Sequence, residues 1–177
     1  MTTTIAFLGP AGTFTEAAVH KFAAHLPQVE TMPVGSPSEA VAAVRAGHAE
    51  YAGVAIENSV DGAVTTTFDA LVEGEPVQIY REVDIPVAFS IMTRQGAGDI
   101  ARLSTHPVAF QQIRGWVKDN LPEVEFVPAS SNAAAAEAVA RGEADAAAAP
   151  ARAAEIFGLE TIAQSVADVE GAATRFV

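Results

Sequence analysis

The chain of 177 residues contains no cysteine and few basic residues. Without cysteine, the chain has no disulfide bond, no catalytic thiolate and no thiolate ligand for a metal. Ten lysines and arginines stand against 22 acidic residues, and the net charge is −12. This balance argues against a nucleic-acid-binding protein, which needs a basic surface. An anionic ligand would be repelled by the protein as a whole, so local donor groups would have to capture it.

Long hydrophobic runs are also absent, and no run approaches the ~20 residues of a membrane span. The first residues, 1–5, carry no basic group and lead directly into an apolar strand, so we expect no signal peptide and a cytoplasmic location. His20, His25 and His48 show no metal-ligand spacing. The chain offers no site for a metal or a cofactor, and we expect neither. Half of the residues are hydrophobic, which is typical of a globular protein.

Two segments of the chain, 26–50 and 121–145, resemble each other at an offset of 95 residues. The matches at predicted element boundaries are Pro33 with Pro128, Ser36 with Ser131, and Gly47 with Gly142. Each copy predicts a strand (29–32 and 123–127), a helix capped by serine and ended by glycine, and a second strand (51–56 and 146–149). Alternating strands and helices indicate an α/β protein with mostly parallel sheets.

The duplication predicts two similar lobes with a cleft between them. The alternative is a single sheet that contains two βα units. We place the lobe boundaries so that residues 1–83 and 164–177 form lobe 1 and residues 84–163 form lobe 2.

The first polar motif, Gly9–Thr15, follows the apolar strand 5–8. Thr13 and Glu16 fit a capping box at the start of a helix. Free backbone N–H groups and hydroxyls at such a position also bind anions, so Thr13 and Thr15 are candidates for substrate binding as well as for capping.

The second motif, Glu57, Asn58 and Ser59, follows the strand 51–56, at the end where ligands bind in open α/β sheets. The second copy has Arg152, Ala153 and Ala154 in the equivalent place. The duplication kept the scaffold but not this trio, which favours a role specific to the first lobe over an ordinary loop.

Two further motifs complete the set of candidate site residues. His106, between Thr105 and Pro107, precedes a helix predicted to run to about residue 120. Thr174, Arg175 and Phe176 end the chain in a strand, where alternation puts Thr174 and Phe176 on one side and Arg175 on the other.

In this order and spacing, the motifs resemble the catalytic domain of prephenate dehydratases, over nearly the whole chain. The resemblance implies a fold like that of type II periplasmic binding proteins, with the active site in the cleft. The family shows a serine where this chain has Thr105, and an asparagine where it has Ala172. The family continues into a phenylalanine-binding ACT domain; because the chain ends at Val177, we expect a catalytic fragment without that domain.

The resemblance implies a lyase of phenylalanine biosynthesis that converts prephenate to phenylpyruvate by loss of water and carbon dioxide. Thr174, the family's essential threonine, would donate a hydrogen bond to the leaving hydroxyl. Glu57 is the alternative acid, on condition that it is buried. The substrate-binding candidates are Thr13, Thr15, Asn58, Ser59, His106, Arg175 and Phe176. A homodimer is compatible with the sequence, and the rival function is a small-anion binding module without catalysis.

Overall fold

The computed structural model describes residues 2–177, which divide into two compact units. The first unit extends to Pro86 and takes in Ala172–Val177, and the second is Val87–Gly171. Within the described residues, no helix has the length and apolar character needed to cross a membrane. No group of three or more potential metal-binding side chains is present in that part of the chain.

Among its described residues, the first unit combines seven strands with three helices. Its strands are β1 (Thr3–Leu8), β2 (Val29–Val34), β3 (Tyr51–Gly53), β4 (Ala55–Asn58), β5 (Gly62–Ala63), β6 (Val83–Pro86) and, from the end of the chain, β12 (Ala173–Phe176). Its helices are α1 (Phe14–Ala23), α2 (Pro37–Arg45) and α3 (Thr65–Val72).

These strands form a parallel sheet, β2-β1-β3, and an antiparallel sheet, β5-β4-β12-β6. Val54 connects the two sheets, since it separates β3 from β4 and exchanges two backbone hydrogen bonds of 2.9 Å with Val177. The strand that leaves the parallel sheet therefore continues directly into the antiparallel one.

The second unit is built around one mixed sheet. Its strands are β7 (Phe89–Thr93), β8 (Arg102–Thr105), β9 (Glu125–Pro128), β10 (Ala146–Ala149) and β11 (Glu160–Val166), in the order β11-β7-β10-β8-β9. Its helices are α4 (Pro107–Gln112), α5 (Arg114–Asn120), α6 (Asn132–Ala140) and α7 (Ala151–Phe157). The single helix predicted from 107 to about 120 is therefore two helices, interrupted at the fully buried Ile113.

The repeat read from the sequence is confirmed by the local structure. Ser36 and Ser131 cap α2 and α6 through the same hydrogen bond, from the backbone N–H three residues on, at 3.1 and 3.0 Å. Gly47 and Gly142 follow both helices with φ of 72° and 80°, a conformation that favours glycine. The α/β class and the similarity of the two units are confirmed.

Glu50 and Asp145 are a further matching pair in the two copies. Glu50 accepts the N–H of Thr4 at 2.7 Å, and Asp145 accepts the N–H of Arg102 at 2.8 Å. Glu50 therefore holds β1 and Asp145 holds β8, in each case the parallel neighbour of the strand that follows the carboxylate. Burial raises the pKa of Asp145, but hydrogen bonds from the backbone and side chain of Arg102, its positive charge and the Ala101 N–H outweigh burial. The net effect holds the pKa of Asp145 below its usual value.

The boundary between the two units differs from the one expected from the sequence. The chain leaves the second unit after Gly171, later than the expected boundary after Ala163, because Val166 still pairs with Phe89 and Asp168 accepts the N–H groups of Gly115 and Trp116. Parallel pairing is limited to one sheet and part of another. The antiparallel pairs are those of β7 and β12 with their neighbours and the hairpin of β4 with β5. The pairs of β7 and β12 join distant segments, which the local sequence pattern does not reveal.

Candidate functional site

In the first unit, two of the sequence motifs meet where β4 ends. β3 continues through Val54 into β4, and β12 is antiparallel to β4, so β12 begins where β4 ends. We call this place, formed by the end of β4 and the start of β12, the carboxyl edge of the first unit. The loop after β1 follows a strand of the other sheet, β2-β1-β3.

A hydrogen bond between Asn58 and Thr174 is the central contact at this edge. The two residues are register partners on β4 and β12, and Nδ2 of Asn58 donates to Oγ1 of Thr174 at 2.8 Å. Thr174 is buried, with 7 % of the residue exposed. Because the amide donates, the hydroxyl is the acceptor in this bond, and its own proton remains available for another acceptor.

The orientation of the Asn58 amide is fixed from its other end. Oδ1 of Asn58 accepts the backbone N–H groups of Val60 at 2.8 Å and Asp61 at 3.1 Å. A backbone N–H requires an acceptor, so the oxygen must face the turn and the nitrogen must face Thr174. The turn after β4 thereby sets the direction of the donor that meets the threonine hydroxyl.

Ser59 extends the same pair of strands by one residue. Its backbone N–H donates to the carbonyl of Ala173 at 2.9 Å, and its Oγ accepts the N–H of Ala173 at 3.0 Å. Ser59 therefore fixes the start of β12, one residue before Thr174. This contact gives the serine a role in positioning the strand, next to the substrate-binding role expected from the sequence.

The loop after β1 supplies the expected helix cap. Oγ1 of Thr13 accepts the N–H of Glu16 at 3.2 Å, and the buried Glu16 reaches back to the N–H of Gly12 at 2.8 Å. Thr15 lies in the first turn of α1 and is half-buried. Gly9 permits this loop, since a Cβ there would lie 2.7 Å from Cβ of Pro33.

Arg175 lies on the opposite face of β12 from Thr174, as alternation predicts. Its Nε is 3.2 Å from Oδ1 of Asp84, and its Nη1 is 3.9 Å from Oε2 of Glu57. The hydrogen bond to Asp84, and then the charges of Asp84, Glu82 and Glu57, raise the pKa of Arg175 above its usual value. The guanidinium is thus a fixed cation in an exposed ion-pair trio across three strands.

Glu57 and Phe176 lie in surroundings that do not suit the roles expected of them. The side chain of Glu57 is 58 % exposed and lies on the Arg175 face of the strands, so the burial required of an acid is not met. Phe176 is 2 % exposed and packs in the core against Ala18 and Ile85. A side chain enclosed in this way has no surface for a substrate, because its position two residues after Thr174 points it into the sheet–helix interface.

His106 belongs to the second unit. It caps α4, with Nδ1 accepting the N–H of Val108 at 3.3 Å, and it is half-buried. The preceding Thr105 is fully buried, and its hydroxyl donates to the carbonyl of Ala148 at 2.7 Å. Among the expected site residues, His106 alone lies outside the first unit.

A cavity of about 560 Å³ in the first unit lies away from these residues. It is lined by the C-terminal ends of the helices and the first residues of β3, with Tyr51 and Tyr80 in edge-to-face contact at 5.9 Å. None of the site residues predicted from the sequence lines it. This cavity was not signalled by any motif in the sequence.

Comparison with known proteins gives a consistent set of matches. The family model described as prephenate dehydratase matches residues 5–177. A prephenate dehydratase of Corynebacterium glutamicum is 55 % identical over 181 residues, covering 99 % of this chain and 58 % of the relative. The chain therefore spans somewhat more than half the length of this relative.

Solved structures agree with the sequence matches. The prephenate dehydratase of Arthrobacter aurescens, in complex with L-Phe, superposes with a TM-score of 0.89 at 42 % identity, over 98 % of this chain and 58 % of that one. GqqA, described as a novel type of quorum-quenching acylase, superposes with a TM-score of 0.83 at 33 % identity, over 98 % of this chain and 62 % of that one.

Proposed function

The chain belongs to the prephenate dehydratase family, and from this premise we propose that it converts prephenate to phenylpyruvate. The observation that carries the proposal is the pair formed by Asn58 and Thr174 at the carboxyl edge of the first unit. It offers an oriented hydroxyl proton at the edge of the sheet where ligands bind in α/β proteins. No cofactor is needed, because aromatisation of the ring makes the reaction strongly favourable.

The reaction breaks two bonds of prephenate. The bond from the ring carbon to its carboxylate supplies the electron pair that aromatises the ring and releases carbon dioxide. The bond from the opposite ring carbon to the hydroxyl breaks with both electrons on oxygen, which takes up one proton and leaves as water. The enzyme must therefore stabilise negative charge that develops on the departing oxygen.

Thr174 is the group that we assign to the departing oxygen. Its hydroxyl accepts from Asn58 at 2.8 Å and can donate its proton outward. A threonine hydroxyl is a poor acid, so it acts as a hydrogen-bond donor, and the proton that completes the water comes from solvent. The donor from Asn58 polarises the hydroxyl and makes it a stronger donor in turn.

The carboxylates of the substrate need donors of their own, since the chain carries a net charge of −12. We assign one carboxylate to the start of α1, where Thr13 is the N-cap and Thr15 lies in the first turn. His106 is kept as a candidate donor, as expected from the sequence. Glu57 has no acid role in this proposal. Arg175 stabilises the pairing of β12 with β4 and β6 through its ion pairs with Glu57 and Asp84.

Acyl transfer, suggested by the likeness to GqqA, is less well supported. A nucleophilic hydroxyl needs a neighbouring base to take its proton. Thr174 is instead bonded to an amide N–H, which is a donor, and Oγ of Ser59 accepts a backbone N–H. These contacts suit a hydroxyl that donates a hydrogen bond better than one that attacks a carbonyl.

Incubation of the chain with prephenate tests the proposal. The expected result is phenylpyruvate, followed by its absorbance in alkali, together with an equal amount of carbon dioxide. Binding of prephenate without product would instead support the small-anion binding module. Cleavage of an amide-linked acyl substrate, with prephenate left intact, would support the acylase.

A further inference from the structure

Asn132 makes an unusual contact at the start of α6 in the second unit. Its Oδ1 accepts the backbone N–H of His106 at 3.2 Å. Since only the oxygen of the amide can accept this bond, the orientation of the Asn132 side chain is determined. The side chain thereby connects the first residue of α6 to the residue that caps α4.

A second hydrogen bond, made by Thr105, holds the same turn to the neighbouring strand β10. The hydroxyl of Thr105 lies 2.7 Å from the carbonyl of Ala148 and 3.3 Å from Oδ1 of Asn132. A hydroxyl can donate only one proton, and here it is donated to the nearer acceptor, the carbonyl of Ala148. Thr105 therefore connects the end of β8 to β10. Asn132 is then left with the N–H of His106 as its main partner, and the turn from β8 to α4 is fixed on two sides.

This turn determines the state of the His106 ring. Nδ1 accepts the N–H of Val108 at 3.3 Å, so in the neutral imidazole the proton is on Nε2. A displaced His106 backbone would break this alignment, because the bond joins residues only two apart. The position of Nε2–H therefore depends on the backbone that Asn132 holds.

The internal repeat shows that the scaffold does not require this asparagine. The equivalent residue of the first copy is Pro37, also the first residue of its helix, which has no side-chain acceptor. Both helices are capped by a serine in the same geometry. Asn132 is thus an addition specific to the second unit, at the turn that carries a candidate binding residue.

We propose that Asn132 is a positioning residue that fixes His106, with Nε2 as the donor, for the substrate. This inference rests on the proposed function for its effect on turnover, but its geometric part concerns this chain alone. It predicts that the acceptor oxygen of residue 132 matters and that the amide nitrogen does not.

Three variants separate these roles. Asn132→Ala removes the acceptor, and Asn132→Asp retains an acceptor oxygen while it removes the amide donor. Asn120→Ala is the matched control, since Asn120 makes one exposed bond, to the carbonyl of Trp116 at the end of α5. We expect Asn132→Ala to lower kcat/KM about 10- to 100-fold, as is typical for residues that orient a site, and the other two variants to stay near the wild type.

The second readout is the nitrogen NMR signature of the His106 ring, which needs no turnover. The wild type and Asn132→Asp should show the neutral form protonated at Nε2, and Asn132→Ala should shift toward a mixture of the two tautomers. An unchanged ring signal in Asn132→Ala, or an Asn132→Asp variant as impaired as Asn132→Ala, would overturn the proposal. If the wild type does not convert prephenate, the proposed function fails, and the NMR comparison still decides the positioning role.

Discussion

Replacement of Thr174 by valine isolates the hydroxyl group of this residue. Valine keeps the branched shape that suits a buried strand position, and Thr174 is 7 % exposed. The variant leaves Nδ2 of Asn58 without its acceptor at 2.8 Å, which should cost about 1 kcal/mol of unfolding free energy. For a protein of this size, the melting temperature would fall by roughly 2–4 °C, so the fold persists.

The effect on turnover should be far larger. Loss of one donor to a developing oxyanion costs about 10²- to 10³-fold in kcat. The assay is the initial rate of phenylpyruvate formation at saturating prephenate, with the melting temperature measured on the same samples. Thr174→Ser is the matched control: it keeps the hydroxyl and should stay within about tenfold of the wild type. A valine variant with the kcat of the wild type would remove Thr174 from the mechanism.

Three other perturbations test separate parts of the structure. Asn58→Asp keeps the oxygen that accepts from the turn but replaces the N–H donor to Thr174 with a second carboxylate oxygen. The Thr174 hydroxyl would then donate its proton to this oxygen and not to the substrate, so kcat should fall about 100-fold. An unchanged kcat would contradict the pairing of Asn58 with Thr174. Phe176→Ala empties a core position that is 2 % exposed, so urea unfolding should show a loss of about 3–5 kcal/mol, whereas a loss typical of a surface residue would place Phe176 outside the core. Asp145 has a lowered pKa in the fold, so the stability advantage of the wild type over Asp145→Asn should be complete above the unfolded pKa of about 3.9 and disappear as the pH falls through the folded value. Urea unfolding curves across this acid range would show it, and an advantage independent of pH would contradict the assignment.

Local features of the fold were accessible from the sequence because they depend on near neighbours. The caps at Ser36 and Ser131 follow from a serine before a helical pattern, and both are present. The all-alanine strand Ala146–Ala149 was predicted only because the repeat aligns it with β3, since its composition alone would favour a helix. The repeat thus carried information that propensity did not.

Long-range features were harder to predict. The return to the first unit lies after Gly171 because Asp168 anchors the preceding segment to α5, a contact over more than 50 residues. The contact of Asn132 with His106 likewise joins two segments that are distant in sequence. No local pattern encodes such partners.

In the candidate site, too, local features were predictable from the sequence and long-range contacts were not. Alternation along β12 correctly separated Thr174 from Arg175, and it also put Phe176 on the inner face with Thr174. The sequence could not show that Phe176 packs in the core while the Thr174 hydroxyl accepts a hydrogen bond from Asn58. Nor could it show that Glu57 pairs with Arg175 at an exposed surface, since both facts depend on the neighbouring strands.

The central claim is that the Thr174 hydroxyl, oriented by Asn58, assists loss of the substrate hydroxyl. The most direct test is a side-by-side progress curve of phenylpyruvate formation from prephenate by the wild type and by Thr174→Val at equal concentration. We expect steady product formation by the wild type and a rate lower by about 10²- to 10³-fold in the variant. Equal rates in the two proteins, or no phenylpyruvate from the wild type, would contradict it.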